Sequence, residues 1–323
     1  MITGGAGYVG SALIPSLLEK GYEVVVYDLY IYGEVFSGIK NPNLLEVKGD
    51  LRDRKKLIDT ARGVDAIIHL ACISNDPSFE LNPTLGKSIN FDAFFNVLDA
   101  AKENNISRLI YASTSSVYGL KSEKNVVEDA TLEPLTDYSK YKAECERVLQ
   151  TGTFPFDWVI VRPATVCGYA KRLRLDLVVN IITINALVNH KIKVFGGTQL
   201  RPNINIRDMI TVYELMLTAK KEEISSCVFN AGFQNLSLLE IASLVKEVYG
   251  KTDLQIQVEP TKDIRSYHIN SDKIQNILGF RPRYTIQDAI RSLIEAYEKG
   301  LIKDPMNNSL YHNIKRMQEL KLR

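Results

Sequence analysis

The chain is poor in cysteine and tryptophan, with four of the first and one of the second in 323 residues. Cys72, Cys145, Cys167 and Cys227 are widely scattered, with neither C-x-x-C spacing nor a histidine cluster nearby, which argues against a disulfide framework or a zinc site and for reduced thiols. No metal ligand set is expected. Charge of one sign is not in excess: Lys+Arg 40 against Asp+Glu 38 gives a formal net charge of +2, and no run of five or more basic residues suits a phosphate backbone. No nucleic-acid partner is expected. The most apolar long stretch, 175–188, is broken by Asp176, Asn180 and Asn185, so nothing supplies the ~20 apolar residues that span a bilayer. No charged n-region, apolar h-region or small-residue cleavage site opens the chain, so no membrane partner and a cytoplasmic location are expected. What remains is an ordinary folded composition, 45% hydrophobic and 24% charged, long enough for two domains or one large one.

Short β-branched runs at 23–28, 44–48, 65–71, 108–113 and 156–162 alternate with amphipathic stretches at 8–20, 55–62, 84–104 and 138–149. Such alternation predicts parallel β-α units and a doubly wound sheet covered by helices on both faces. After about residue 163 the rhythm changes: a helix near 176–188, a short strand at 192–195, a Gly-Gly turn and an Arg-Pro-rich stretch at 201–208. Helices follow at 237–249, 271–278 and 286–299, and the polar tail from 307 is helical at best. The expected division is residues 1–165 as one domain, with a return around 204–232, and 166–323 mainly as a second, smaller α+β domain. Only Met1, Ile2 and Thr3 precede the first glycine turn, so either the first strand is very short or the given N-terminus is truncated.

Gly4-Gly5-Ala6-Gly7-Tyr8-Val9-Gly10 opens a helix with glycines at the spacing that lets backbone amides approach a pyrophosphate, while the helix N-terminus supplies positive potential. Asp28 follows Gly10 by 18 positions at the end of the second strand, near the ~20-residue offset of an acid that accepts from the adenosine ribose hydroxyls. A carboxylate there repels a 2′-phosphate and no Arg or Lys follows within a few positions, so NAD is preferred over NADP. Thr114 stands past the fourth run, where ligands sit in open α/β sheets. Tyr138 and Lys142 share a helix face at i, i+4, so the ammonium can sit close to the phenol and favour the phenolate. Tyrosine titrates near 10, and a tyrosine base working near pH 7 needs such a neighbour. Each feature alone recurs by chance; their conjunction is informative.

Together with Gly49-Asp50-Leu51, His69-Leu70-Ala71, Val117-Tyr118-Gly119, Arg162-Pro163 and Arg201 ahead of Asn205-Ile206-Arg207-Asp208, these motifs make the chain resemble an extended short-chain dehydrogenase/reductase. Within that superfamily the likeness is to the NAD-dependent nucleotide-sugar epimerases and dehydratases, and it covers most of the chain. The resemblance implies a Rossmann-type sheet plus a sugar-binding domain, NAD as cofactor, and a nucleoside-diphosphate sugar as substrate. It implies that Thr114, Tyr138 and Lys142 are catalytic. NAD would lie along Gly4, Gly7, Tyr8, Val9, Gly10 and Asp28, with Asp50 on the adenine amino group beside Leu51, Leu70 and Ala71 along the pyrophosphate and ribose, Asn90 near the nicotinamide half, and Pro163 as a further cofactor contact. Asn180, Arg201 and Arg265 would hold diphosphate and nucleotide, a role that suits arginine's planar fork. Ser74 and Thr165 occupy positions where epimerases often carry Lys and Asn substrate contacts.

Departures from the pattern bear on the reaction. The Asp-Glu pair that follows the catalytic Thr in dehydratases is Ser115-Ser116 here, which disfavours loss of water. Ala93-Phe94 replaces a common Gly-Thr pair, and the 172–176 run Arg-Leu-Arg-Leu-Asp resembles a branch near bacterial surface-sugar enzymes. The leading expectation is C4 epimerisation through a 4-keto sugar. Dehydrogenation or ketosugar reduction by the same triad is the alternative, and a non-catalytic NAD-binding scaffold is the reading from another class. Family members commonly dimerise through a four-helix bundle, here 84–104 and 138–149 of two copies, with Phe91, Phe94 and Phe95 as a possible apolar face. His69 and the cysteines are expected to be packing residues.

Overall fold

A computed structural model describes the chain apart from residues 122, 124, 252–253, 262–265, 267 and 323. Seven strands, β1 (Ile2–Thr3), β2 (Val24–Asp28), β3 (Leu44–Lys48), β4 (Ala66–His69), β5 (Arg108–Ala112), β6 (Asp157–Pro163) and, after a gap in sequence, β10 (Cys227–Ala231), form one parallel sheet. Its order is β10-β6-β5-β4-β1-β2-β3. Alternate side chains of each central strand enter opposite layers: Ile110 and Ala112 pack with Leu13 and Met209 on one face, Leu109 and Tyr111 with Phe94 and Val97 on the other. Burial on both faces is why these strands read as continuous apolar runs. The sheet is the Rossmann-type doubly wound arrangement that the β-α alternation predicts.

Two smaller sheets complete the described molecule. β7 (Thr165–Cys167) lies parallel to β9 (Leu200–Asn205), which is antiparallel to β11 (Gln234–Ser237). β8 (Lys191–Phe195) pairs in parallel with β12 (Gln255–Glu259). The Arg-Pro-rich stretch is therefore largely strand, followed by a helix, Ile206–Thr218, that sits against the large sheet's first helix, Gly10–Glu19.

The single helix predicted over 84–104 is interrupted. Pro83–Lys87 and Phe94–Glu103 flank a widened, π-helical turn at Ser88–Asp92. There the Asn90 side chain accepts from the Ile73 amide (2.8 Å) and donates to the Ile73 carbonyl (3.0 Å), while the Asn90 carbonyl accepts from the Cys145 thiol (3.3 Å). Of the three phenylalanines nearby, Phe94 is core, Phe91 is half-buried against Tyr141, and Phe95 is 44% exposed.

β1 is only two residues long, yet it is paired on both sides, to Val26 and Tyr27 and to Ile68 and His69. Thr3 and His69, opposite each other in that register, share a hydrogen bond at 2.7 Å between Oγ1 and Nδ1. Burial, reinforced by the Lys142 charge, lowers His69 from 6.5 to about 3. The folded state thus holds the ring neutral, and below pH 6.5 the unfolded chain binds the additional proton. Stability from this group is full above pH 6.5 and falls by about 1.4 kcal/mol for each pH unit below it, until pH nears the folded value. Urea unfolding between pH 7 and pH 5 should show a steeper pH slope for wild type than for His69→Gln by that amount; equal slopes would contradict it.

Candidate active site

The carboxyl ends of β1, β2, β4, β5 and β6 open into one cleft of about 740 Å³, at the point where strand order reverses around β1 and β4. At its floor Gly4 has φ +73°, and a Cβ there would stand 2.5 Å from the Ala71 backbone; a Cβ on Gly10 would stand 2.2 Å from the Gly5 carbonyl oxygen. No other residue lets the turn and the β4 end approach so closely. The cradle left at the helix N-terminus has the form and polarity a dinucleotide pyrophosphate requires. Asp28 ends β2 beside it, its two carboxylate oxygens accepting from the Ala6 and Tyr30 amides at 2.9 and 2.8 Å. Burial raises its carboxyl against those bonds. Tyr8, Val9, Leu51, Leu70, Ala71 and Pro163 line the same cleft, and Asp50 at its rim is gripped by Arg52 at 2.6 Å.

Tyr138 and Lys142 lie on the helix Asp137–Thr151, whose first turn is fixed by a capping box between Thr136 and Ser139. That cap places Tyr138 at the helix entrance, facing the end of β5. Thr114 follows β5, caps the next short turn through the Ser116 amide (3.2 Å), and lines the same cleft as Tyr138. Burial pushes the Tyr138 phenol well above its usual value, the Cys72 sulfur adds to the rise, and Arg174 and the Thr114 hydroxyl oppose it. The Lys142 ammonium donates to the Ala112 carbonyl at 2.7 Å and lies 5.0 Å from the Tyr111 ring centroid. Arg174 is thus a cation that acts on the phenol besides Lys142, to which the i, i+4 spacing points.

Behind these groups runs a buried network. The Arg162 guanidinium forks onto Glu146 (Nη2 to Oε2 2.6 Å) and donates to the Tyr118 hydroxyl and the Glu128 carbonyl, both at 2.8 Å. Ser113 donates to Glu146, and Tyr118 to Asn230 at 2.7 Å. Tyr138, Lys142 and Glu146 follow at four-residue intervals on one helix face, so the ion pair that anchors Glu146 also orients the other two.

Among the residues expected to touch substrate, Ser74, Thr114, Thr165 and Arg201 line the cleft. Arg265 lies outside the described residues. Two of the residues expected to contact ligand sit off the cleft lining. Asn180 is fully buried and does not line the cleft: its side chain accepts from the Gly168 amide (3.0 Å) and donates to the Arg174 carbonyl (2.9 Å) and the Tyr8 hydroxyl (3.2 Å), so it holds the loop instead. Asn90 likewise lies behind the cleft, its amide consumed by Ile73. Residues without a sequence assignment also line the cleft: Tyr32, Asn75, Asp76, Arg172, Arg174 and Asp176, with Ile314 and Met317 from the C-terminal helix. Arg174 holds Asp176 bidentately at 3.0 and 2.7 Å, and Asn75 donates to the same carboxylate at 2.5 Å. Burial alone would raise Asp176, but Arg174 outweighs it and keeps the carboxyl below the usual range. Their signal was the alternating charge of 172–176; for the tail it was Ile314 and Met317 at helical spacing.

Residues 1–232 match the NAD dependent epimerase/dehydratase family. An uncharacterized UDP-glucose epimerase, YtcB, of Bacillus subtilis is 30% identical over 316 residues, 93% of this chain and 98% of its own. The dTDP-D-glucose 4,6-dehydratase of Homo sapiens is 27% identical, over 93% and 90% of the two chains. Among solved structures, the UDP-glucuronic acid 4-epimerase of Bacillus cereus, in complex with UDP-glucuronic acid and NAD, superposes with a TM-score of 0.82 at 26% identity, over 92% of this chain and 98% of that one.

Proposed function

The chain belongs to the NAD dependent epimerase/dehydratase family, and on that premise we propose that it is an NAD-dependent 4-epimerase of a nucleoside-diphosphate sugar. The observation that carries this reading is the convergence of Thr114, Tyr138 and Lys142 on one cleft with the glycine cradle and Asp28. The cradle at Gly4, Gly7 and Gly10 would take the NAD pyrophosphate and Asp28 the adenosine ribose. Bound NAD supplies the hydride acceptor at the sugar's C4 and, once the 4-keto sugar has turned over in the cleft, the hydride donor to its other face.

Tyr138, as phenolate, takes the proton of the C4 hydroxyl and later returns it. Thr114, on the same cleft, would share the hydrogen bond and fix the hydroxyl. The Tyr138 phenol is held up by burial, so it needs positive charge to act near neutral pH. Arg174 supplies one such charge, and Lys142, 3% exposed on the cleft lining, would supply a second and hold the nicotinamide ribose. Arg201, which also lines the cleft, would take the sugar diphosphate. Residues 1–165 would form the NAD domain and 166–323 mainly the sugar-nucleotide domain, with two copies meeting through the helices that carry Phe95 and Tyr138.

Dehydration is disfavoured because the positions after Thr114 are Ser115, buried, and Ser116, whose hydroxyl is bonded to Thr114 at 2.8 Å; neither is a carboxyl acid or base. The test is the identity of the product formed with substoichiometric NAD.

A further inference from the structure

Arg172 is 4% exposed, lines the cleft, and its Nε has no hydrogen-bond partner. A buried guanidinium N–H without an acceptor carries the full cost of desolvation unless a ligand supplies one. Burial lowers Arg172 only to about 10, so it stays charged at neutral pH. Its surroundings place it at the dinucleotide end of the cleft. The Arg172 amide donates to the Ser11 hydroxyl, in the first turn of the helix that the glycine cradle opens, at 3.2 Å. Its charge acts on Asp28, and its guanidinium carbon stands 3.6 Å from the Tyr32 ring centroid.

The guanidinium is held from behind by the C-terminal helix, Asn313–Leu320. Nη2 donates to the Asn313 side-chain oxygen, and Asn313 Nδ2 donates to the Ser74 hydroxyl at 3.0 Å. Arg316 on the same helix donates to the Ile31 carbonyl, next to Tyr32. Met317 packs with Ile73, Phe79 and Tyr138. One helix thus ties the loop after β2, the loop after β4 and Arg172 together across the cleft.

We propose that Arg172 binds a phosphate of the dinucleotide through its free Nε, and that Asn313 latches it there, so that the C-terminal helix governs how long the cofactor stays. The inference rests on the reading of the glycine cradle and Asp28 as the NAD end of the cleft. It supplies a phosphate cation from 162 residues beyond Gly10, where the local sequence around Asp28 holds none.

The test uses the full chain without any sugar and measures binding of NAD, ADP-ribose and adenosine by calorimetry, and NAD release by stopped flow. Arg172→Met is expected to weaken NAD and ADP-ribose at least tenfold while adenosine changes less than twofold. Equal losses for all three, or NAD affinity within twofold of wild type, would overturn the phosphate contact. Asn313→Ala removes the latch without removing the buried charge, and so tests the proposal even if Arg172→Met does not fold. NAD release at least fivefold faster is expected; an unchanged rate would overturn the latch. Because no sugar is present, failure of the epimerase reading would leave these outcomes untouched, and the reverse also holds.

Discussion

Tyr138→Phe is expected to lower turnover of the nucleotide sugar by about 10²–10⁴-fold, equivalent to about 3–5.5 kcal/mol in the barrier. The substitution removes one oxygen and leaves the ring, so packing against Ile73, Phe79 and Met317 is retained. What is lost is the phenol that shares the cleft with Thr114 at the end of β5, and with it the proton acceptor proposed for the C4 hydroxyl. Binding of NAD should change little, because the cradle and Asp28 are untouched. Loss of turnover with unchanged affinity for substrate assigns the phenol to the chemical step. Turnover within a few-fold of wild type would show that the base has been misassigned.

Arg162→Met is expected to cost about 3–5 kcal/mol of stability, a large part of the 5–15 kcal/mol typical of a folded domain. The Glu146 side chain is fully buried and its partner Arg162 is 3% exposed, so removing the arginine strands a carboxylate in an apolar interior. Tyr118 and the Glu128 carbonyl lose donors at the same time. Replacing both ends, as Arg162→Met with Glu146→Leu, should recover much of the loss, because a neutral pair of similar volume removes the uncompensated charge. Denaturant unfolding of the three variants separates these outcomes. A single substitution costing under 1 kcal/mol would mean the pair contributes no more than a surface ion pair does. The recovered double variant should still turn over sugar more slowly, since Glu146 fixes the helix face that carries Lys142 and Tyr138.

Much of this arrangement could be read from residues close together in sequence. The central strands of the large sheet are buried on both faces, so they read as apolar runs, and the edge strand β3 and the helix at 286–298 lie within a residue or two of where periodicity puts them. The glycine turn, Asp28, Thr114, Tyr138 and Lys142 are legible because each chemistry depends on a short spacing. Other features depend on partners far along the chain. β7, β9 and β11 pair over separations of tens of residues, and their strands of 3, 6 and 4 residues carry little periodicity of their own. Asn90 and Asn180 show the same limit: a polar residue in an apolar run serves equally as ligand contact or as core hydrogen-bonder, and only the positions of Ile73, Gly168 and Tyr8 decide between them. Arg172 is the converse case. A surface arginine and a buried one are identical in sequence, and its place beside Asp28 and Tyr32 emerges only from the fold.

The central claim is that the sugar is oxidised and reduced at C4 within one visit to the cleft. It is tested most directly by incubating the protein with a panel of UDP-, GDP-, CDP- and dTDP-sugars and substoichiometric NAD, following absorbance at 340 nm and identifying products by NMR. The account predicts a C4 epimer of one sugar nucleotide, many turnovers per NAD and no net NADH. A 4-keto sugar accumulating in step with NADH would contradict it and make the protein a dehydrogenase.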